Sequence, residues 1–99
     1  MTITLSRFDA ADYLKTPEDM RDYLEACMEE GGDDPAFIAQ ALGVVARAQG
    51  MTQVANQSGL ARESLYKALS SDGNPEFATV LKVIQALGLK LHFEVATAS

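Results

Sequence analysis

Apolar residues recur at helical spacing along most of this chain. Between residues 17 and 31 they fall at positions i, i+3, i+4, i+7 and i+8, which places them on one face of a helix. Two later segments, 35–49 and 75–87, also carry an apolar face. The three faces consist of Met20, Tyr23, Leu24, Cys27 and Met28; of Phe37, Ile38, Ala41, Leu42, Val45 and Ala46; and of Phe77, Val80, Leu81, Ile84 and Leu87. This pattern predicts three amphipathic helices.

Capping residues mark the ends of the first two helices. Thr16 precedes Pro17, and Asp19 stands where the acidic residue of a capping box belongs. Asp34 caps the second helix, which ends before Gly50. Gly43 lies inside the second helix, where glycine costs about 1 kcal/mol relative to alanine. We therefore expect a neighbouring helix to approach closely at that position.

The last helix is expected to begin at Asn74 and Pro75 and to end before Gly88, where the period of the pattern changes to two. The apolar residues of this tail are Leu89, Leu91, Phe93 and Val95, and they alternate with Lys90, His92 and Glu94. The tail predicts a short strand, which needs a hydrogen-bonded partner. That partner is either the segment TITL, residues 2–5, or the same strand of a second copy, in which case the four apolar residues are dimer contacts.

The stretch TQVANQSGLARESLYKAL, residues 52–69, predicts two short helices joined by a tight turn. Thr52 is a candidate cap for the first of them, and Gly59 supplies the positive φ that the turn requires. The inward positions are Val54, Ala55, Leu60, Leu65 and Leu69. This arrangement is typical of a helix-turn-helix, whose second helix enters the major groove of DNA.

The outward residues of the second short helix suit contact with DNA. Arginine and lysine donate to guanine or phosphate, serine donates to phosphate or a base, and tyrosine contacts phosphate or a thymine methyl group. The residues concerned are Arg62, Glu63, Ser64, Tyr66 and Lys67. Glu63 repels phosphate, so its role is either a contact to cytosine or an ion pair with Lys67. The alternative to DNA binding is a hairpin that only packs, with an ordinary solvated face.

Charge is segregated along the chain. The net charge of −6 arises from residues 1–34, which hold ten acidic and three basic residues, whereas residues 35–99 carry a net +1. An acidic segment is either a solvated face or a surface for a basic partner. The candidate contact residues are Asp19, Asp22, Glu25, Glu29 and Glu30.

Composition narrows the class of protein. With 99 residues, 47% of them hydrophobic, the chain predicts one small folded domain, and no apolar run reaches the roughly 20 residues that span a bilayer. A single cysteine and no secretory signal pattern lead us to expect a cytoplasmic protein. Cys27 and His92 cannot supply the about four ligands of a zinc site. We expect no metal, no cofactor and no enzymatic activity.

Two resemblances extend this interpretation. The order Gln53, Ala55, Gly59, Leu60, Leu65 resembles the phage Cro/C1 repressor (XRE-like) helix-turn-helix, in which the glutamine contacts the DNA backbone. The longer block ALGVVARAQGMTQVA, GLARESLYKALS and GNPEFATVLKVIQALGLKL resembles the HigA-type addiction-module antidote family, over about residues 8–91. This sequence departs from the pattern at Ala61, where a serine cap is usual.

The resemblance implies an all-α, five-helix Cro/C1-like helix-turn-helix domain with an N-terminal helical extension and a short C-terminal β-strand. Residues 1–33 would be an acidic, toxin-binding extension, and residues 34–99 a DNA-binding domain. The implied function is that of an antitoxin. It would neutralise a small basic RelE/HigB-like ribonuclease toxin and repress its own operon, as a homodimer on an inverted repeat in double-stranded DNA. The alternative is a phage-repressor-like regulator without a toxin.

Overall fold

The computed structural model describes residues 9–70 and 72–96. In this part of the chain a 3-10 helix, Ala10–Tyr13, is followed by five α-helices. They are α1 (Pro17–Gly31), α2 (Pro35–Gln49), α3 (Met51–Ser58), α4 (Arg62–Ala68) and α5 (Phe77–Ala86). Helix α1 packs on α2, and α3 packs against α2, α4 and α5. The all-helical prediction is confirmed for these residues, whereas the TITL segment lies outside them.

The starts of α1 and α2 are fixed by the predicted caps. The Thr16 hydroxyl accepts the Asp19 amide at 3.1 Å, and the Asp19 carboxylate accepts the Thr16 amide at 3.2 Å, which completes a capping box. The same carboxylate accepts the amide of Lys15 at 3.0 Å. Asp34 accepts the amide of Ala36 at 3.1 Å. Local side-chain chemistry therefore decides where both helices begin.

The prediction that Thr52 caps α3 is wrong. Gly50 adopts φ 115, and the helix begins at the next residue, Met51. No side chain caps this helix, and Thr52 lies inside it. Met51 is only 7% exposed, so its packing in the core favours a start two residues earlier than a cap at Thr52 predicts.

The predicted start of α5 at Asn74 and Pro75 is also wrong. The helix begins at Phe77, with Glu76 at the cap position and no side-chain cap. Phe77 does not belong to the buried face, because its side chain is 65% exposed. It lies in the first turn, beyond the edge of the core to which Val83 contributes.

All five helices contribute to one hydrophobic core. Val45, Val54, Leu65 and Val83 are completely buried at its centre. Met20, 4% exposed, joins the acidic helix α1 to the same cluster. The remaining members are Leu42, Ala46, Met51, Ala55, Leu69, Ala86 and Leu87.

Gly43 confirms the expected close approach. A Cβ atom at this position would lie 2.7 Å from the carbonyl oxygen of Leu69, the C-cap residue of α4. No side chain fits between the two backbones, so glycine is required despite its low helix propensity.

The predicted C-terminal strand is wrong for the single chain. Residues 89–96 form no strand pairing with any part of the chain that the structure describes. A strand is stabilised only when its backbone groups bond to a neighbour, and the alternating pattern alone does not provide one. Leu91, Phe93 and Val95 are consequently exposed, at 46%, 89% and 90%.

Candidate nucleic-acid interface and acidic surface

The turn between α3 and α4 has the conformation that the sequence predicts. Gly59 is left-handed, with φ 78, and its amide donates to the carbonyl of Ala55 at 3.0 Å. The amide of Leu60 donates to the same carbonyl at 3.2 Å. This pattern ends α3 and sets the direction in which the chain enters α4.

The inner side of the helix pair fixes which residues of α4 face solvent. Val54 of α3 and Leu65 of α4 are completely buried. Every residue predicted to contact DNA is exposed: Gln53, Arg62, Glu63, Ser64, Tyr66 and Lys67. We call these six residues the polar face of the helix pair.

Arg62 and Tyr66 form a contact that the sequence interpretation missed. The Arg62 Nη2 atom donates to the Tyr66 hydroxyl at 3.1 Å, and its guanidinium carbon lies 5.4 Å from the ring centroid. The signal was present, because an aromatic residue four positions after an arginine lies on the same side of a helix. The contact orients the guanidinium while Tyr66 stays 46% exposed.

Glu63 and Lys67 make no ion pair, the two ion pairs of the described residues being Arg21–Asp22 and Arg47–Asp9. One of the two alternatives for Glu63 is therefore not realised. Ala61 occupies the cap position of α4 without a side-chain hydrogen bond, in agreement with the expected loss of a serine cap.

Arg47 is held against the first described residue. Its Nη2 atom donates to the Asp9 carboxylate at 2.9 Å. The pKa of Asp9 is lowered, first by the hydrogen bond from the Ala11 amide and then by that from Arg47. The arginine side chain thus fastens the 3-10 helix to α2.

The outer face of α1 is acidic and open. Asp22, Glu25, Glu29 and Glu30 are exposed, which fits a solvated face and a contact surface equally. Asp19 differs, because its carboxylate is committed to the capping box. The amide of Lys15, followed by the amide and hydroxyl of Thr16, lowers the pKa of Asp19. Four of the five predicted residues are therefore exposed on α1. Asp22 is ion-paired with Arg21 at 3.0 Å, whereas neither ion pair of the described residues includes Glu25, Glu29 or Glu30.

A groove of about 350 Å³ opens beside this acidic face, between α1 and α2. Tyr23, Cys27, Phe37 and Val44 contribute to its lining. Burial raises the pKa of the Cys27 thiol, so the side chain behaves as a packing residue. Burial also raises the pKa of Tyr23.

Residues 9–70 and 72–96 offer neither a membrane-spanning helix nor a cluster of metal ligands. No helix there is long and apolar enough to cross a bilayer. No three or more His, Cys, Asp and Glu side chains there are grouped so that they could hold a metal ion.

These features define a class of small all-helical proteins that present a polar helix pair and a separate acidic helix. Within that class the chain belongs to the family described as "Probable addiction module antidote protein", whose model matches residues 4–95. An "Uncharacterized protein" of Haemophilus influenzae is 46% identical over 94 residues, which cover 95% of each chain. No solved structure matches.

Membership in this family confirms the coarser part of the functional prediction. The chain belongs with the antitoxins of toxin–antitoxin modules, which implies a toxin partner and a regulatory, non-enzymatic role.

Proposed function

We propose that this antidote is also a DNA-binding autorepressor, of the HigA type with a Cro/C1-like helix-turn-helix, and that its toxin is a RelE/HigB-like ribonuclease. The observation that carries the DNA-binding part is the α3–Gly59–α4 unit, in which buried Val54 and Leu65 leave six polar residues exposed on one helix pair. A helix held in this way can enter a major groove without rearrangement.

Within the polar face, the chemistry assigns different roles. Arg62 and Ser64 lie at the start of α4, the part of a recognition helix that contacts base edges. Gln53 of α3 and Lys67 at the end of α4 reach the phosphate backbone. Tyr66 holds the guanidinium of Arg62 in position.

The polar face of the helix pair carries few positive charges. Residues 47–67 carry three basic side chains and one acidic one, and Arg47 is occupied by Asp9. Arg62 and Lys67 are the remaining cations of that segment. Because each phosphate contact adds a limited electrostatic contribution, one copy binds weakly and a homodimer on an inverted repeat is required.

The DNA-binding part is tested by gel shift on the DNA upstream of the gene, at a stated salt concentration. Arg62→Ala and Ser64→Ala are expected to weaken binding about tenfold or more, since a good base contact is worth about 1–3 kcal/mol. Lys67→Ala is compared with Lys82→Ala, which removes the same charge from the exposed side of α5. Affinity unchanged in both Arg62→Ala and Ser64→Ala would exclude α4 as the reading helix.

The toxin-binding part is assigned to residues 1–33, and in particular to the outer face of α1. A ribonuclease that holds RNA needs a basic surface, and the exposed carboxylates of α1 complement it. We assign the contact to Asp22, Glu25, Glu29 and Glu30, and we leave Asp19 to its structural role in the capping box.

The toxin-binding part is tested by co-expression with the product of the adjacent gene, followed by pull-down at low salt. The variant Asp22→Asn/Glu25→Gln/Glu29→Gln should lose most of the binding. The control removes three carboxylates elsewhere, as Glu63→Gln/Asp72→Asn/Glu76→Gln, and should bind like wild type. Equal binding by both variants would exclude the acidic face. An adjacent gene that encodes no small basic protein would leave a repressor without a toxin.

A further inference from the structure

The segment after α5 leaves the domain from a well-anchored point. Gly88 is left-handed, with φ 78, and its amide donates to the carbonyl of Gln85 at 3.0 Å. The amide of Leu89 donates to the carbonyl of Ile84 at 3.1 Å, and the Leu89 side chain is half-buried against the core. Beyond this anchor, residues 90–96 are all exposed.

The apolar side chains of this segment have nothing to cover them among the described residues. Phe93 and Val95 are 89% and 90% exposed, so these apolar side chains are almost fully in contact with solvent. In an extended chain they share one side with Leu91 and Leu89, because successive side chains point to opposite sides. An apolar row that continues from the core indicates a contact surface.

The polar side of the segment is complementary to itself. We infer that residues 89–95 pair with the same residues of a second copy as an antiparallel two-stranded ribbon, whose two-fold axis passes through His92. In this register Lys90 faces the partner's Glu94, and Glu94 faces the partner's Lys90. Opposite charges directly across two strands stabilise the pairing.

The same register matches the apolar side. Leu91 faces the partner's Phe93, and Leu89 faces the partner's Val95. Because Leu89 packs against its own core, each copy brings its Val95 to the edge of the other copy's core. A two-stranded ribbon alone in water is only marginally stable, and packing against a helical domain stabilises it.

Neighbouring registers are less favourable. An axis between two residues places polar side chains opposite apolar ones, because opposite residues share a face. An axis through Phe93 keeps the apolar row but places Lys90 opposite the partner's Ala96, so both lysine–glutamate pairs are lost. The charge pattern therefore selects the axis at His92.

This inference deepens the dimer that the proposed function requires. Its test uses the full chain alone, without DNA or toxin, so its failure is distinguishable from failure of the DNA-binding or antitoxin proposal.

Cysteine cross-linking tests the register. His92→Cys should form a disulfide-linked dimer under mild oxidation, since the two cysteines would face each other across the axis. Lys90→Cys should not, because its two copies would lie roughly 13 Å apart, whereas Lys90→Cys/Glu94→Cys should cross-link. Wild type, whose Cys27 is buried, is the background control. This register would be wrong if Phe93→Cys formed a cross-linked dimer and His92→Cys formed none.

Charge reversal tests whether the partner of this segment is a second copy of the chain. Lys90→Glu and Glu94→Lys each place like charges across both strands, so each should weaken the homodimer about tenfold in Kd, as measured by light scattering or sedimentation. An equimolar mixture of the two variants should form a heterodimer, because both cross-strand pairs are then opposite in charge. Circular dichroism checks that both fold. If the mixture is as monomeric as its components, or if wild type is monomeric at high concentration, the segment serves another contact and the inference is wrong.

Discussion

The backbone of Gly43 in α2 lies so close to Leu69 that a Cβ atom would come within 2.7 Å of the Leu69 carbonyl oxygen. The contact joins the middle of α2 to the C-cap residue of α4, the proposed reading helix. A backbone oxygen cannot move aside as a flexible side chain does. The position of α4 on the domain therefore depends on the absence of a side chain at residue 43.

We expect Gly43→Ala to destabilise the fold even though alanine is the better helix former. Overpacking costs about 1–3 kcal/mol, against about 1 kcal/mol gained from helix propensity. Thermal unfolding should show a fall in Tm, and operator affinity should fall with it as α4 shifts. Ala26→Gly, on the exposed side of α1, calibrates the propensity difference. A Gly43→Ala variant more stable than wild type would show that the two helices have room to separate.

We expect Gly59→Ala to destabilise the domain by about 1–2 kcal/mol, the cost of holding an L-residue in a left-handed conformation. No heavy atom lies within 4 Å of the added Cβ, so the cost arises from the backbone alone. Gly88→Ala is a matched control, with the same φ of 78 and equally open surroundings, and should cost a similar amount in urea unfolding. Gly59→Asn should cost less, because asparagine tolerates this conformation. Losses that differ widely between positions 59 and 88 would point to a contact formed by one of them.

Tyr66→Phe tests whether the Arg62 contact prepares the arginine for DNA. The variant removes the hydroxyl that accepts from Arg62 but keeps the ring beneath the guanidinium. We expect operator affinity to fall about two- to fivefold, in line with one modest hydrogen bond, and Tyr66→Ala to lose more. Stability should change little in Tyr66→Phe because both side chains are exposed. A fall of equal size in both variants would show that the ring contributes nothing and that the whole effect belongs to the hydroxyl.

The capping box predicts a loss of stability in acid. Backbone hydrogen bonds lower the pKa of Asp19 below its ordinary 3.8, so its charged form is favoured by folding. The resulting stabilisation is present above the unfolded pKa and is lost as pH falls through the lower, folded pKa. Asp9 contributes in the same direction. When the pH is lowered below about 4, we expect the urea concentration at the unfolding midpoint to decrease for wild type and to decrease less for Asp19→Asn. Urea unfolding curves recorded at a series of pH values would measure both. Parallel curves for the two proteins would contradict a role for the Asp19 charge.

Local chemistry explains which parts of the fold were predictable. Thr16, Asp19 and Asp34 act on amides two to four residues away, and Gly59 acts on its own turn, so their roles follow from sequence. The prediction for Thr52 is wrong because the start of α3 depends on the burial of the neighbouring Met51 in a core built from distant residues. Likewise, no local pattern shows that the first turn of α5 projects past that core.

The candidate site was predictable in its exposure but not in its internal contacts. Buried Leu65 fixes the exposed side of α4, so the outward residues follow from the helical period. The choice between the Arg62–Tyr66 and Glu63–Lys67 pairs depends on side-chain geometry, which spacing alone does not determine. The prediction of a C-terminal strand fails for another reason. An alternating pattern specifies which side chains share a face, but it does not specify which strand pairs with the segment.

The burial of Met20 in the shared core has a consequence for the phenotypes of mutants. Through this buried side chain, with Tyr23 and Leu24 packed beside it, the acidic helix shares a hydrophobic core with the helix pair that we assign to DNA. Core mutations should therefore abolish toxin neutralisation and repression together, whatever helix they fall in. Only surface mutations should separate the two phenotypes. A screen that scores cell survival and promoter activity independently would divide its alleles along that boundary between core and surface.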